Sequence, residues 1–279
     1  MTTTIDSPVI GAPVTTGLRW NVSDVLTVTG RHLLRLKHAP GLIVGSLMFP
    51  LAFVVLFGFV FGSAIPIGGG VNYREYLIPG LMVMTIFTGI MATLIAVAKD
   101  NTLGVMDRFR SMPVARSSIL IGQTLADLIT TAVVLGFMMV CGLVVGWRVH
   151  TGVLSFLAAF GMLLLLQYAA SWVGVFLGTV VKDVETAGKL GPLIMPLTMI
   201  SNVFVPTDNM PLVLRTISDW NPVSSGVAAA RQLFGNGPPA PADAAWPLTH
   251  PVLATVLWSL FLLVVFAPLA VRRFGADAS

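Results

Sequence analysis

The sequence predicts an all-α integral membrane protein with six transmembrane helices. An N-terminal interfacial helix, a short cytoplasmic helix and an external re-entrant helix pair before the last span complete this prediction. Apolar residues make up 56% of the 279 residues and charged residues only 10%, against roughly 25% charged residues in soluble domains. Six apolar segments each approach or exceed the ~20 residues that a helix needs to cross a ~30 Å hydrocarbon layer.

The apolar segments divide the chain into four regions. Residues 1–17 form a flexible tail rich in Thr, Pro and Gly, residues 18–40 an interfacial segment, residues 41–272 the six-span domain and residues 273–279 a C-terminal tail. The predicted spans are Gly41 to Ala64, Tyr76 to Ala98, Ser118 to Gly146, Val153 to Val181, Leu190 to Pro206 and His250 to Val271.

Lys and Arg are unequally distributed between the two sides of this arrangement. Twelve of the sixteen fall on the side shared by both termini, and short loops rich in Lys and Arg stay in the cytoplasm. We therefore expect a multi-pass protein of the cytoplasmic membrane with both termini in the cytoplasm. The net charge of +4 then reflects topology and contact with anionic membrane lipids, and nucleic-acid binding is not expected.

The N-terminal interfacial helix is predicted from an amphipathic pattern between Asn21 and His38. The apolar side chains share one helical face, and basic residues gather near the end, which is typical of a helix in the headgroup plane. A juxtamembrane segment without a defined role is the alternative. The face comprises Val22, Val25, Leu26, Leu33 and Leu36.

The fifth segment is short, is interrupted by Pro192 and Pro196, and ends in Ser201 and Asn202. Proline-broken membrane helices expose backbone carbonyls, which are tolerated only beside protein or a water-lined cavity. The pattern favours a place near a translocation path. A kinked packing helix, with Asn202 bonding a neighbour, explains it equally well.

Two short amphipathic helices are predicted in the external segment of residues 207–249. Val213, Ile217 and Trp220 repeat at i, i+4 and i+7, and the chain then meets Asn221-Pro222. The helix pair is expected to dip back into the outer leaflet, where Trp220 suits the interface. After the proline the same spacing recurs in Val223, Val227, Ala230 and Phe234.

Glycine pairs at i and i+4 favour close approach of membrane helices, because the backbones meet without intervening side chains. Three such pairs occur in the predicted spans. They are Gly58 with Gly62, Gly142 with Gly146, and Gly174 with Gly178.

Asp127 is the one acidic residue well inside an apolar segment. It lies nine residues past Ser118, about 14 Å along a helix. A charge at that depth must be paired, protonated or in contact with water. Asp127 is therefore a candidate for the translocation path, unless the third helix begins inside the cytoplasm and leaves it near the interface.

No catalytic or cofactor site is predicted in this chain. The sequence has no Gly-x-x-x-x-Gly-Lys-Ser/Thr loop for a nucleotide phosphate, and its four histidines lack partners at metal-ligand spacing. The single cysteine, Cys141, lies inside the third span. We expect neither an enzyme nor a metal site.

The second cytoplasmic loop contains a short amphipathic helix. Val105, Phe109 and Met112 lie at i, i+4 and i+7, while charged residues project elsewhere and Pro113 ends the helix. Such a helix suits a groove on a soluble partner, or it rests on lipid.

This loop closely resembles the coupling segment of type-2 ABC exporter permeases, in particular the daunorubicin/doxorubicin resistance permease group. The matching string is Asp107-Arg108-Phe109-Arg110-Ser111-Met112-Pro113, followed by Arg116. The external segment also matches, through Phe204-Val205-Pro206, Met210-Pro211, Asn221-Pro222-Val223-Ser224 and Arg231-Gln232-Leu233-Phe234.

The resemblance implies a permease that pairs with a second permease subunit, identical or homologous, and docks two cytoplasmic ABC ATPase subunits that bind ATP and Mg. It implies an ATPase-coupling helix made of Val105, Met106, Asp107, Arg108, Phe109, Arg110, Met112, Pro113 and Arg116. The external re-entrant element would include Met210, Pro211, Trp220, Asn221, Pro222 and Arg231. The possible translocation path comprises Asp127, Pro192, Pro196, Ser201 and Asn202.

Two functional hypotheses follow. The first is the membrane subunit of an ATP-driven exporter for an amphipathic or lipophilic substrate, such as a drug, a polyketide or a lipid-like molecule. The second is a secondary transporter or channel driven by an ion gradient, in which Asp127 titrates.

Overall fold

The computed structural model describes residues 29–30, 40–60, 67, 70–102, 116–181, 183–238 and 244–276, and every regular element among them is helical. A π-helical turn, Leu56–Val60, follows the helix Pro40–Val55. A 3₁₀ turn, Gly191–Leu193, separates the helix Val184–Leu190 from the helix Ile194–Met199. The α-helices are α1 Pro40–Val55, α2 Tyr73–Thr102, α3 Arg116–Val145, α4 Val153–Val180, α5 Val184–Leu190, α6 Ile194–Met199, α7 Leu212–Asp219, α8 Pro222–Phe234, α9 Trp246–Thr249 and α10 Pro251–Ala276.

Four helices are long and apolar enough, by length and composition, to cross a membrane. They are α2, the stretch Leu120–Val145 of α3, α4, and the stretch Pro251–Phe274 of α10. These helices coincide with the second, third, fourth and sixth predicted segments. Each extends to within a few residues of the predicted boundaries, because long apolar runs leave little ambiguity about where a spanning helix lies.

The first and fifth predicted segments differ from these four. The first is helical from Pro40 to Val60, but only its shorter part Pro50–Val60 counts as an apolar helix, and residues 61–66 lie outside the described residues. The fifth is not one continuous helix: α5, the 3₁₀ turn and α6 follow one another, and residues 200–205 form bends. Of the six predicted spans, four are long apolar helices in the described part of the chain, and the prediction of six regular spans is not confirmed.

Two prolines explain why the fifth segment breaks. Pro192 lies in the 3₁₀ turn and Pro196 in α6, and neither has an N–H to donate to the helix ladder. Side chains replace part of the missing backbone bonding after α6 ends. The Ser201 hydroxyl donates to the Thr198 carbonyl at 2.6 Å, and the backbone N–H of Val203 donates to Ser201 Oγ at 3.3 Å.

The core lies along α2, which packs most extensively on α4. Two of the predicted glycines permit this contact. A Cβ at Gly174 would lie 2.8 Å from the Ile90 carbonyl oxygen, and one at Gly178 would lie 2.6 Å from Val97 Cβ. The glycine pair of α4 therefore lets two backbones approach within one chain.

The helices α2, α3 and α4 run alternately up and down. At one end, Glu75 of α2 meets His150 of the α3–α4 linker, with 2.8 Å between Oε2 and Nε2. At the other end, Asn101 Nδ2 of α2 donates to the Gly178 carbonyl of α4 at 3.1 Å. Residues 103–115, which connect α2 to α3 in the sequence, lie outside the described residues.

The predicted N-terminal helix and the predicted coupling helix fall mostly outside the described residues. Of residues 18–39, Thr29 and Gly30 are described and helical, and Thr29 Oγ1 donates to the Gly122 carbonyl at 3.2 Å. The coupling residues from Val105 to Pro113 lie outside the described part, and Arg116 is the first residue of α3.

Candidate functional site

A buried arginine joins α8 to α2 and to the irregular segment that follows α6. Arg231 is 4% exposed, and each of its three guanidinium nitrogens donates to a backbone carbonyl at 2.9 Å: Nε to Tyr76, Nη1 to Asn202 and Nη2 to Val203. Its central carbon also lies 3.3 Å from the centroid of the Tyr76 ring. The charge is thus compensated by carbonyl dipoles and an aromatic face.

Two tyrosines of α2 add hydrogen bonds to the same irregular segment. The Tyr76 hydroxyl donates to the Asn202 carbonyl at 3.1 Å, and the Tyr73 hydroxyl donates to the Phe204 carbonyl at 3.1 Å. These bonds, together with those of Arg231, satisfy carbonyls that the broken helix leaves without helical partners. We call this group the Arg231 junction: Arg231, Tyr73, Tyr76 and the carbonyls of residues 202–204.

Gly80 allows the junction to close against α2. A Cβ at this position would lie 2.7 Å from the Val203 carbonyl oxygen and 3.2 Å from Arg231 Nη2. Any larger residue would push the backbone at Val203 away from α2. No local sequence signal marks Gly80, Tyr73 or Tyr76 as functional, because their role depends on contacts with residues more than a hundred positions away in the chain.

Asn221 connects the end of α6 to the start of α8. Its Nδ2 donates to the Leu197 carbonyl at 2.7 Å and to the Ile200 carbonyl at 2.8 Å, while its Oδ1 accepts the N–H of Val223 at 2.9 Å. Asn221 therefore caps both helix ends at once, and Pro222 fills the first position of α8, where a missing N–H costs nothing.

The structure brings together only some of the residues assigned to the external element. Asn221, Pro222 and Arg231 lie at the contact of α8 with the irregular segment. Met210 and Pro211 precede α7, for which Pro211 is the N-terminal cap residue. Trp220 is 54% exposed at the end of α7 and takes no part in the Arg231 junction.

Asp127 forms a second polar group, within the bundle. Thr93 Oγ1 of α2 donates to Asp127 Oδ2 at 2.8 Å, and Gln123 Nε2, one turn earlier on α3, donates to Oδ1 at 3.2 Å. Asp127 is the twelfth of the thirty residues of α3, close to its middle. An ionised carboxylate at the centre of a membrane helix costs about 2.5–3.5 kcal/mol on insertion scales, which two neutral donors only partly offset.

The predicted path residues do not form one site. Ser201 and Asn202 belong to the irregular segment at the Arg231 junction, and Pro192 and Pro196 lie before it. Thr93, the partner of Asp127, is seventeen residues beyond Tyr76 on α2, so the two polar groups lie about 25 Å apart along that helix.

The linker between α3 and α4 is a further part that sequence analysis missed. Trp147 Nε1 donates to Asn236 Oδ1 at 2.8 Å, and Asn236 Nδ2 donates to the Arg148 carbonyl at 2.7 Å. The backbone N–H of His150 donates to the Phe234 carbonyl at 2.9 Å. This linker therefore fixes the C-terminal end of α8, which carries Arg231 one turn earlier.

Within the part of the chain that the structure describes, no group of three or more His, Cys, Asp or Glu residues could hold a metal ion. Cys141 is half-buried in α3 as a free thiol.

Four long apolar helices, a broken helix held by polar caps and a carboxylate within a helix are features of a multi-pass membrane protein. Residues 23–234 match the model of the family described as ABC-2 type transporter. The chain belongs to this family of membrane permeases, and the resemblance to the drug-resistance permease group is confirmed by the relatives below.

Three relatives indicate the range of similarity. The daunorubicin resistance ABC transporter permease protein DrrB1 of Streptomyces coeruleorubidus is 30% identical over 259 residues, which cover 91% of this chain and 86% of that protein. The probable doxorubicin resistance ABC transporter permease protein DrrC of Mycobacterium tuberculosis is 26% identical, covering 90% and 88%. The putative transport permease ycf38 of Cyanophora paradoxa is 24% identical, covering 77% and 75%.

Proposed function

We propose that this chain is the transmembrane subunit of an ATP-driven exporter that moves an amphipathic or lipophilic substrate outward across the cytoplasmic membrane. Two copies of a separate cytoplasmic ABC ATPase would bind ATP and Mg, and a second permease subunit, identical or homologous, would complete the membrane part. The named relatives that confer daunorubicin or doxorubicin resistance support a drug-like, polyketide-like or lipid-like substrate.

The position of α2 carries this proposal. Its last residue, Thr102, leads directly into the predicted coupling loop, its Thr93 contacts Asp127, and its Tyr76 contacts Arg231. A force applied by an ATPase to the predicted coupling segment would therefore act on α2, which contacts both Asp127 and Arg231. By this proposal, both termini lie in the cytoplasm and α7–α8 is the re-entrant element at the outer face.

Substitutions in the predicted coupling helix test the proposal. In the complex reconstituted with its ATPase, Phe109→Asp or Arg110→Glu should lower substrate efflux and transport-stimulated ATP hydrolysis by about 10-fold or more, since removing a central interface side chain commonly costs 2 kcal/mol or more. Arg273→Glu, at an exposed position at the end of α10, is the matched control and should change neither rate. Full coupling in both coupling-helix variants, at equal expression, would reject this docking site.

The geometry of Asp127 favours a second candidate function, an ion-gradient-driven transporter or channel. The Thr93 hydroxyl has two acceptors, Asp127 Oδ2 at 2.8 Å and the Gly89 carbonyl at 3.3 Å. It can therefore stay hydrogen-bonded whether Asp127 is ionised or protonated. Transport by the chain in vesicles without nucleotide would support this function over the ATP-driven one.

A further inference from the structure

We propose that Asp127, together with Thr93, Gln123 and Gln167, binds the positively charged amine of an amphiphilic substrate. This inference rests on the proposed export function and adds to it the chemical class of the cargo. The site lies in mid-bundle between α2, α3 and α4, away from the Arg231 junction.

The carboxylate of Asp127 is held by neutral donors and has acceptor capacity left. Thr93 and Gln123 each bond one oxygen, whereas a carboxylate accepts about four hydrogen bonds. Asp127 as a residue has intermediate exposure, so its neighbours in the bundle do not cover it completely. Two donors from two helices fix its orientation without neutralising its charge.

No described Lys or Arg forms an ion pair with Asp127. Lys99, the basic residue in the last turn of α2, lies six residues beyond Thr93 and is exposed. At 1.5 Å per residue it is about 9 Å further along the helix axis. A ligand cation can therefore supply the charge that the described part of the chain does not provide.

Gln167 of α4 presents a second acceptor on the same side of α2. Its Nε2 donates to Ser171 Oγ at 3.0 Å, while its Oε1 is buried and has no hydrogen-bond partner among the described residues. This oxygen lies 3.7 Å from the place of a Cβ at Gly89, the residue whose carbonyl accepts a bond from Thr93. Buried acceptors normally have a donor, so this one indicates a missing group.

The carboxylate of Asp127 and Oε1 of Gln167 thus provide acceptors that are not saturated, and their surroundings are apolar. An ammonium group has three donors and no acceptor, so it matches a carboxylate and an amide oxygen that both lack donors. Ile90 and Leu94 of α2 are buried beside Thr93, and Ile129 and Val133 are exposed on α3. An amine attached to an apolar body fits these surroundings better than a hydrated inorganic ion.

The test compares two probes with the same apolar body and fluorophore, of which only one carries a positive charge. The first is a dansyl-labelled decylamine with a free terminal amine, and the second is the same molecule with the amine acetylated. Binding is followed by dansyl fluorescence with the full chain and its ATPase in zwitterionic nanodiscs. Wild-type protein should bind the amine at least ~10-fold more tightly than the acetylated probe, because only the amine carries a charge.

Asp127→Asn should remove this preference by weakening amine binding about 10-fold or more while leaving the acetylated probe unchanged. Thr93→Val, which removes a donor that orients the carboxylate, should weaken amine binding by a smaller factor, and Asp127→Glu should retain the preference. If Asp127→Asn does not fold, Thr93→Val with its smaller expected loss still decides the question. Equal affinities for the two probes in wild type, or equal losses for both probes in either variant, would overturn the proposal.

Asp183→Asn serves as the matched carboxylate control. Asp183 lies partly exposed in the linker between α4 and α5, and hydrogen bonds from the N–H and the hydroxyl of Thr186 hold the pKa of its carboxyl below the usual range. It is therefore ionised at neutral pH but outside the site, and amine binding should not change. If the protein binds the amine selectively but shows no nucleotide-driven efflux, only the proposed export function is refuted. If it shows efflux but no preference for the amine, only the inference about Asp127 is refuted.

Discussion

Arg231 and Asp127 both place an ionisable group inside the helix bundle, and neutral groups surround each of them in the described structure. Arg231 donates to three backbone carbonyls, and Asp127 accepts from a hydroxyl and an amide. The difference lies in burial and geometry: each nitrogen of Arg231 donates one bond and the residue is 4% exposed, whereas Asp127 has intermediate exposure and one bond to each oxygen. We therefore interpret Arg231 as a residue that stabilises the fold and Asp127 as a candidate ligand-binding residue.

Replacement of Arg231 should destabilise the protein strongly. Arg231→Met removes three charge-assisted hydrogen bonds and takes the donor from the buried Val203 carbonyl, while the Asn202 carbonyl keeps the Tyr76 hydroxyl, for an expected loss of about 1–3 kcal/mol. Arg231→Lys keeps the charge but lacks the planar fork, so we expect an intermediate loss. The measurement is the midpoint of thermal unfolding in detergent.

Arg273→Met controls for the loss of a cation as such, because Arg273 is exposed near the end of α10. Its unfolding midpoint should stay at the wild-type value. An Arg231→Met protein as stable as Arg273→Met would mean that the carbonyl contacts of Arg231 contribute nothing to stability.

At the scale of helices, periodicity predicted α8 well because its pattern is local. Val223, Val227, Ala230 and Phe234 were expected on one face, and all four are fully buried. The same pattern in α7 led to a different result: Val213, Ile217 and Trp220 lie on its exposed side, and Ser218 and Asp219 are buried. Spacing identifies an apolar face but not what covers it, and in a membrane protein lipid is a suitable neighbour.

The candidate sites were less predictable than the helices. Asp127 and Asn202 could be selected because polar residues in apolar segments are expensive, and Asn221-Pro222 because it is a helix-start signal. Their partners could not be predicted: Tyr76 is 155 residues from Arg231, and Thr93 is 34 residues from Asp127. Such partners follow from how helices pack, which one sequence does not encode locally.

The α2–α4 contact should tolerate no side chain at Gly178. In Gly178→Ala the new Cβ would lie 2.6 Å from Val97 Cβ, so the helices must separate, at an expected cost of about 1–3 kcal/mol. Gly161→Ala, on the same helix with nothing within 4 Å, is the matched control and should be neutral or slightly stabilising. Equal thermal midpoints for the two variants would contradict the close approach of α2 and α4.

At the scale of the whole molecule, α2 is the element that connects the parts. In the apolar stretch of α2, 61% of the residues are buried within the chain, whereas the share in the apolar stretch of α10 is 17%. The Arg231 junction lies near one end of α2, the Asp127 group lies beyond its middle, and Thr102 at its other end precedes the predicted coupling segment in the sequence. A displacement of Thr102 along the α2 axis would be transmitted to both polar groups, because a helix is stiff along its length.

The irregular fifth segment makes the topology testable. In a Cys141→Ala background, Asp208→Cys and Lys189→Cys provide two exposed thiols on either side of this segment. If residues 190–206 cross the membrane, a membrane-impermeant maleimide should label position 208 in intact cells and position 189 only after permeabilisation. Arg273→Cys, near the predicted cytoplasmic C-terminus, should behave like position 189.

Labelling of positions 189 and 208 under the same condition would show that the fifth segment returns to the side from which it started. The chain would then have an odd number of crossings if the other five predicted spans hold, and the predicted cytoplasmic location of one terminus would be wrong. The four long helices and the Arg231 junction would be unaffected by that result.

Arg231 recognises main-chain oxygens at positions 202 and 203, which every amino acid supplies. The anchor therefore does not depend on which side chains stand there. Packing restricts them instead, because Val203 is fully buried in the hydrophobic core and Asn202 is 8% exposed, with its Nδ2 bonded to the Ser224 carbonyl. A volume-conserving exchange at position 203 should leave the three bonds of Arg231 intact, whereas a larger or more polar side chain there should fail by packing and not by loss of the anchor.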